Sequence, residues 1–317
     1  LALATLAASL GALEFALRRT KPLWTLFYPP VCWQPDLVRQ TAWGYTLWPG
    51  TTKRHEYPPR QGRTIVLQAN GEGFRGSRDL HVPLDGRPRI AVLGDSMVFG
   101  EGVEEADRFT ERLEAAEPGW RVDNLGMIGF GPDLMLRALE AEGLDPPPTA
   151  VVMAVFTDDV RRVVEPYSGM GFALPRYRLG DDGALRTVPY PTPGPLDGLT
   201  LVQGLRYAYW RYTAATYPLN AAILDRFREL ARERAFAPAI AFLPGPREAA
   251  DDRRRRAFLR DYAARNGVPF LDLSDAIAAA GGERLYLPGD PHWNADGHAV
   301  VASALRGFLR DRVLAPP

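Results

Sequence analysis

Two short stretches, far apart in the chain, carry residue types that can do nucleophilic chemistry together. The first, "RIAVLGDSMVFGEGV" (residues 89–103), puts Ser96 directly behind the apolar run of residues 90–93. The second, "GDPHWNADGH" (residues 289–298), puts Asp290 two positions before His292. A serine hydroxyl is a weak nucleophile until a base takes its proton. The chain has four histidines. His55 and His81 have no apolar frame around them, and His298 falls inside the last helical pattern, where it reads as a packing residue. His292 lies just before that helix. In extended chain, residues i and i+2 point to the same side, so Asp290 can hold the imidazole in one tautomer and stabilise its protonated form.

The glycines at 94, 100 and 102 raise a different chemistry, a phosphate cradle. A P-loop needs a lysine after its second glycine, and none is present. The dinucleotide fingerprint Gly-x-Gly-x-x-Gly does not fit this spacing either. No Gly-x-Ser-x-Gly occurs, which removes the strained nucleophile elbow of another hydrolase class.

The elements that must position these residues follow from hydrophobic periodicity. Short apolar runs at 90–93, 121–125, 150–156, 239–243 and 269–273 suit strands buried on both faces. Helical patterns lie between them. Phe109 and Leu113 stand four apart behind an N-cap expected at Asp107, "PDLMLRALEAEG" closes at Gly143, and residues 247–267 end in Asn-Gly. The last pattern spans 294–311. This alternation predicts a three-layer α/β/α sandwich around a parallel sheet of about five strands. Ser96 then sits at the carboxyl end of the first strand, the edge where such sheets bind ligands.

Two regions break the rhythm. Residues 20–88, rich in Pro, Trp, Tyr and Gly, read as an N-terminal extension packed on the domain formed by residues 89–317. Within it, "RTIVLQANGEGFRG" is a strand followed by a glycine turn. Residues 161–217 read as an insertion over the site, with a hairpin around Asp181-Asp182-Gly183. Its aromatic run "LRYAYWRYTAATY" is expected mainly to form the core of a lid; stacking of the tyrosines between Tyr167 and Tyr217, with Trp210, on sugar faces is the less favoured use.

Composition excludes some partners. The 38 basic and 38 acidic residues leave no net charge, so the basic surface that nucleic acid requires is missing. Lysine occurs only at Lys21 and Lys53, a bias of base composition more than of chemistry. The single cysteine, Cys32, allows neither an internal disulfide nor a multi-cysteine metal site, and is expected to be an inert thiol. Residues 1–13 are apolar and uncharged, followed by Glu14, Arg18, Arg19 and Lys21. The run is shorter than the ~20 residues that span a bilayer. The chain opens on Leu, so a preceding segment is expected to complete residues 1–19 as a membrane anchor or signal remnant. A membrane-anchored or exported protein is therefore the first expectation and a cytoplasmic one the second, although the basic cluster follows the apolar run instead of preceding it.

Taken together, these stretches resemble the SGNH/GDSL hydrolase family over roughly residues 89–311. "GDS" at residues 94–96 is similar to its first block, which implies Ser96 as nucleophile and its N–H as an oxyanion donor. "NLGMIGFG" (residues 124–131) resembles the second block and implies Gly129 as the oxyanion glycine. Asp290 and His292 match the acid and base of the last block. "NGEGFRG" (residues 70–76) is similar to a motif that precedes the core in many membrane-anchored bacterial members. The resemblance implies a serine esterase that cleaves O-acetyl or other short-acyl esters, those of small molecules and carbohydrates among them, through an acyl-enzyme. It implies no metal and no cofactor. Two departures matter. The third block, "FTDDV", has Asp158 where the family has a donating Asn; an ionised carboxylate only accepts hydrogen bonds. Asp158 is protonated by burial, or points away and leaves the Ser96 and Gly129 N–H groups to suffice, or marks a weakened enzyme; the second is favoured. The spacing Asp-x-His-Trp resembles alginate O-acetyltransferase-like members, which keeps an O-acyltransferase of envelope polysaccharide as an alternative. A non-catalytic envelope protein with a degenerate site is the third.

Overall fold

The computed structural model describes residues 2–20, 36–57, 63–165, 173–188 and 194–315. Five parallel strands form the central sheet: β1 (Arg89–Gly94), β2 (Arg121–Gly126), β3 (Ala150–Phe156), β4 (Ala237–Leu243) and β5 (Phe270–Asp272). Their spatial order is β5-β4-β3-β1-β2, all parallel. The five apolar runs are thus the five strands.

Strand alternation divides the core into two layers. Ala91, Leu93, Val151, Met153, Val155, Ile240 and Phe242 face one cluster, with helices Pro132–Glu142, Tyr217–Arg234 and Ala250–Arg265. Ile90, Val92, Val152, Ala154, Ala239 and Ala241 face the other, with helices Phe109–Ala116, Ser274–Ala280 and Ala295–Phe308. One helix start differs from expectation. Asp107 is not the cap of Phe109–Ala116; it closes the 3-10 turn Glu105–Asp107, and its carboxylate takes Arg112 instead.

The extension is built into the first layer. Its hairpins, Val38–Thr41 with Gly44–Leu47 and Thr52–Glu56 with Thr64–Gln68, bury Tyr45, Leu47, Ile65, Leu67 and the following Phe74 in the same core. It is also tied to the sheet through charge. Arg89 and Arg121 pair in register at the start of β1 and β2, and both donate through Nε to the buried Asp123 at 2.5 Å. Their remaining Nη2 groups reach back to the carbonyls of Leu80 (2.6 Å) and Asp79 (2.8 Å).

The insertion behaves differently. The hairpin Arg176–Leu179 with Leu185–Val188 forms around the expected turn. Among the described residues the expected lid core does not form at helix Thr200–Tyr212, which buries only Thr200 and leaves Tyr209 and Tyr212 exposed. Its support comes from helix Ala2–Thr20, whose Glu14 accepts the N–H groups of Thr200 (2.7 Å) and Leu201 (2.9 Å). This carboxylate answers the partial positive charge at the start of Thr200–Tyr212. Helix Ala2–Thr20 has no buried residue. Among the described residues no helix is long and apolar enough to cross a membrane. Cys32, Tyr167 and Tyr190 lie outside the described residues.

Candidate active site

The site begins with two glycines that face each other across β1 and β2, Gly94 and Gly126. A Cβ on Gly94 would lie 2.1 Å from Val98 Cγ2, and one on Gly126 2.4 Å from the Phe99 nitrogen. Their missing side chains let the one-turn helix Ser96–Phe99 fold back onto the sheet edge. Asp95 caps that turn, Oδ1 accepting from Met97 N–H at 2.9 Å. Asn124 braces it from β2, donating to Val98 O (2.6 Å) and Thr110 Oγ1 (2.8 Å) and accepting from Gly126 N–H (2.9 Å). Ser96 is thereby fixed as the first residue of the turn.

His292 arrives from the loop before the last helix. Its Nε2 lies 2.7 Å from Ser96 Oγ, and its Nδ1 lies 2.6 Å from Asp290 Oδ1. The same Asp290 oxygen accepts the His292 backbone N–H at 2.9 Å. An ionised Asp290 fixes the proton on Nδ1, which leaves the Nε2 lone pair for the serine hydroxyl. Three residues that the sequence singles out, 196 positions apart at the extremes, therefore meet in one hydrogen-bonded chain. Trp293 anchors the loop: it is fully buried, edge-on to Phe109 and His298. His298 is the packing residue that its position suggests. Its Nδ1 accepts from Phe109 N–H, and burial pushes its pKa down to about 3.

Further groups complete the arrangement, and the sequence did not point to them. Tyr57, from the extension, sets its hydroxyl 2.8 Å from His292 Nδ1 and donates to Asp290 Oδ2 at 3.1 Å. Glu101 brings Oε2 to 3.4 Å from His292 Nε2. Burial disfavours the imidazolium, but Glu101 and Asp290 outweigh it and raise the His292 pKa. Burial likewise works against ionised Asp290, yet the bonds from His292 and Tyr57 hold its carboxyl below the usual range. Behind the serine, Arg162 binds Asp95 Oδ2 at 2.9 Å and Asp159. Glu101 had one visible sign, a carboxylate between two glycines in the nucleophile stretch. Tyr57 had none, standing 235 positions from His292.

Two N–H groups, those of Ser96 and Gly129, are left without a partner among the described residues. Ser96 N–H opens a helix and has no partner within it. Gly129, at φ +78°, lies in the turn after β2, where the Tyr45 hydroxyl binds the carbonyl of Ile128. Neither N–H donates to another group among the described residues. Asp158 does not join them. Its carboxylate takes Arg161 Nε and Arg255 Nη1, each at 3.3 Å. Burial opposes its charge, but Arg161, Arg162 and Arg255 hold it well below the usual carboxylate range. The guanidinium groups of Arg161, Arg211 and Arg255 around Asp158 favour its ionised, accepting form over the neutral donor.

A serine, histidine and aspartate aligned at the carboxyl edge of a parallel α/β sheet define a triad-type hydrolase site. The GDSL-like Lipase/Acylhydrolase family matches residues 92–300, and the chain belongs to that family. The fold is similar to a lipolytic protein of the G-D-S-L family from Veillonella parvula DSM 2008, with 18% identity, 71% of this chain and 100% of that one covered, and a TM-score of 0.47. It is also similar to the lipase/acylhydrolase from Enterococcus faecalis, with 18% identity, coverage of 71% and 97%, and a TM-score of 0.45. A search of curated protein sequences finds no relative of the chain.

Proposed function

We propose that the protein is a serine esterase that cleaves short-acyl carboxylic esters, O-acetyl esters among them, through an acyl-enzyme on Ser96. The observation that carries this is the unbroken chain Ser96 Oγ–His292 Nε2–Asp290 Oδ1, at 2.7 and 2.6 Å. In the first half, Nε2 takes the serine proton while Oγ bonds to the ester carbonyl carbon. The N–H groups of Ser96 and Gly129 receive the developing oxyanion, the role that electrostatic preorganisation fills in acyl transfer. The acyl C–O bond then breaks, and Nε2–H protonates the leaving alkoxide. In the second half, water gives its proton to Nε2, adds to the acyl carbon and releases the acid, returning the proton to Ser96.

A sugar hydroxyl in place of that water would make the enzyme an O-acyltransferase. The Asp-x-His-Trp spacing prompts that alternative, and the Trp293 in it is buried behind the loop and offers nothing to an acceptor. Hydrolysis is therefore the reading retained, and an acetyl donor with an oligosaccharide acceptor separates the two by product. A degenerate, non-catalytic site is disfavoured by the same chain of distances.

The test is hydrolysis of 4-nitrophenyl acetate. Ser96→Ala and His292→Ala should each lower kcat by on the order of 10⁴-fold or more. The base must be neutral, so activity should be lost as pH falls through a His292 pKa that lies above its ordinary 6.5. Wild-type rates in either variant would overturn the proposal. Attachment to a membrane surface belongs to the same proposal, supported by Leu3, Leu6, Leu10, Leu13 and Phe15, all exposed on helix Ala2–Thr20. Failure of the full chain to bind phospholipid vesicles would remove it.

A further inference from the structure

Glu101 is a carboxylate near the triad that the mechanism above does not use; Asp95, the other, is occupied by Met97 N–H and Arg162. The backbone on both sides of it is fastened. Arg75, from the extension, donates to the carbonyls of Phe99 (3.2 Å), Gly100 and Val103 (2.6 Å). Glu101 N–H donates to Ser96 O at 3.1 Å. The side chain is 15% exposed, and Oε2 lies 3.4 Å from His292 Nε2. Among the described residues, Oε1 accepts from no group. A carboxylate held this firmly beside His292, with one oxygen that no described group donates to, is an acceptor that lacks its donor.

Its position tells which part of a substrate would supply that donor. The acyl side of an ester is set by the Ser96 and Gly129 N–H groups. The alcohol side is set by Nε2, because the leaving oxygen must come within about 3 Å of that nitrogen to take its proton. Glu101 borders the same nitrogen. A hydroxyl on the carbon next to the one that bears the ester oxygen lies about 3 Å from that oxygen in the gauche form and so falls within hydrogen-bond reach of the carboxylate.

We infer that Glu101 is a specificity-determining residue that selects esters whose alcohol carries a neighbouring hydroxyl, as in partly acylated diols, polyols and sugars. The inference rests on the esterase reading and names the alcohol side of its substrate. Glu101 makes and breaks no bond. It accepts the vicinal O–H, aligns the leaving oxygen with Nε2, and disfavours alcohols that bear negative charge near the ester. A hydrogen bond to a charged acceptor that an analogue cannot make is a strong discriminator, because the acceptor is then left unpaired.

The experiment compares kcat/KM for 2-hydroxyethyl acetate and 2-methoxyethyl acetate at about pH 8, far above the ordinary carboxylate range, because burial raises the Glu101 pKa. The wild type should favour the hydroxy ester by about tenfold or more. In Glu101→Leu, and in the length-matched Glu101→Met, the ratio should collapse to about one. The ratio cancels any change the substitution makes to His292, which acts on both esters. A wild-type ratio near one, or a preference kept in both variants, would overturn the inference. 4-Nitrophenyl acetate, whose alcohol has no neighbouring hydroxyl, separates the two failures. Ser96-dependent hydrolysis of it with no preference between the acetates leaves the esterase standing and removes the role of Glu101. No Ser96-dependent hydrolysis of any of the three removes both.

Discussion

Residues 36–88 and residues 194–217 both stand outside the strand-helix alternation, and both are rich in aromatic side chains. The first region buries Tyr45, Tyr57 and Phe74; helix Thr200–Tyr212 of the second leaves Tyr209 and Tyr212 exposed. The first donates to the site itself, through Tyr57 at the Asp290–His292 pair and Arg75 at the Glu101 loop. The second is tethered by charge at its ends, where Glu14 of a separate helix meets Thr200 and Leu201 and where Arg211 Nε lies 3.1 Å from Asp251 Oδ2. Aromatic content does not distinguish them. What does is whether buried donors from the region are spent on backbone carbonyls and carboxylates of the parallel sheet's open edge. A buried group that loses such a partner costs far more than an exposed one.

This contrast can be broken most forcefully at Arg75. Arg75→Ala leaves the carbonyls of Phe99 and Val103 without their Arg75 donor and that of Gly100 with Val103 N–H alone, and should destabilise the fold by on the order of 3 kcal/mol. A urea midpoint unchanged from wild type would equate the extension with the insertion. Tyr57→Phe keeps the ring and removes only the hydroxyl. It should lower kcat by about tenfold, with KM and melting temperature near wild type, as expected of a group that positions the Asp290–His292 pair. A fall in stability without a fall in kcat would make Tyr57 a packing residue. Asp158→Asn should keep or raise esterase activity, since its carboxylate serves Arg161 and Arg255. It should cost about 1–3 kcal/mol, because both guanidinium groups are buried. A collapse of activity would give Asp158 a role of its own. The smallest effect belongs to the insertion: Tyr209→Ala should shift stability by less than about 0.5 kcal/mol and leave hydrolysis unchanged.

The parallel sheet was legible because its signal is local. Runs such as "AVVMAVF" are apolar on every residue, short and bounded by breakers, the pattern of a strand covered on both faces. Ser96, Asp290 and His292 were legible because each sits at a punctuation point, after a strand or before a helix. Tyr57 and Arg75 were not, because their partners are contributed by chain tens to hundreds of residues away. The lid core misled for the opposite reason. A dense run of tyrosines suggests burial, yet Thr200–Tyr212 has the apolar surface without a facing layer to cover it. Asp107 shows the same limit on a smaller scale: a residue suited to capping was drawn into a pair with Arg112 one turn away.

The most direct measurement is intact-mass analysis after reaction with a fluorophosphonate, which bonds to a serine only when a neighbouring base has activated it. The account predicts one adduct per chain, located on Ser96, absent in Ser96→Ala and formed far more slowly in His292→Ala. No adduct on the wild-type protein, or equal labelling of Ser96→Ala, would contradict it.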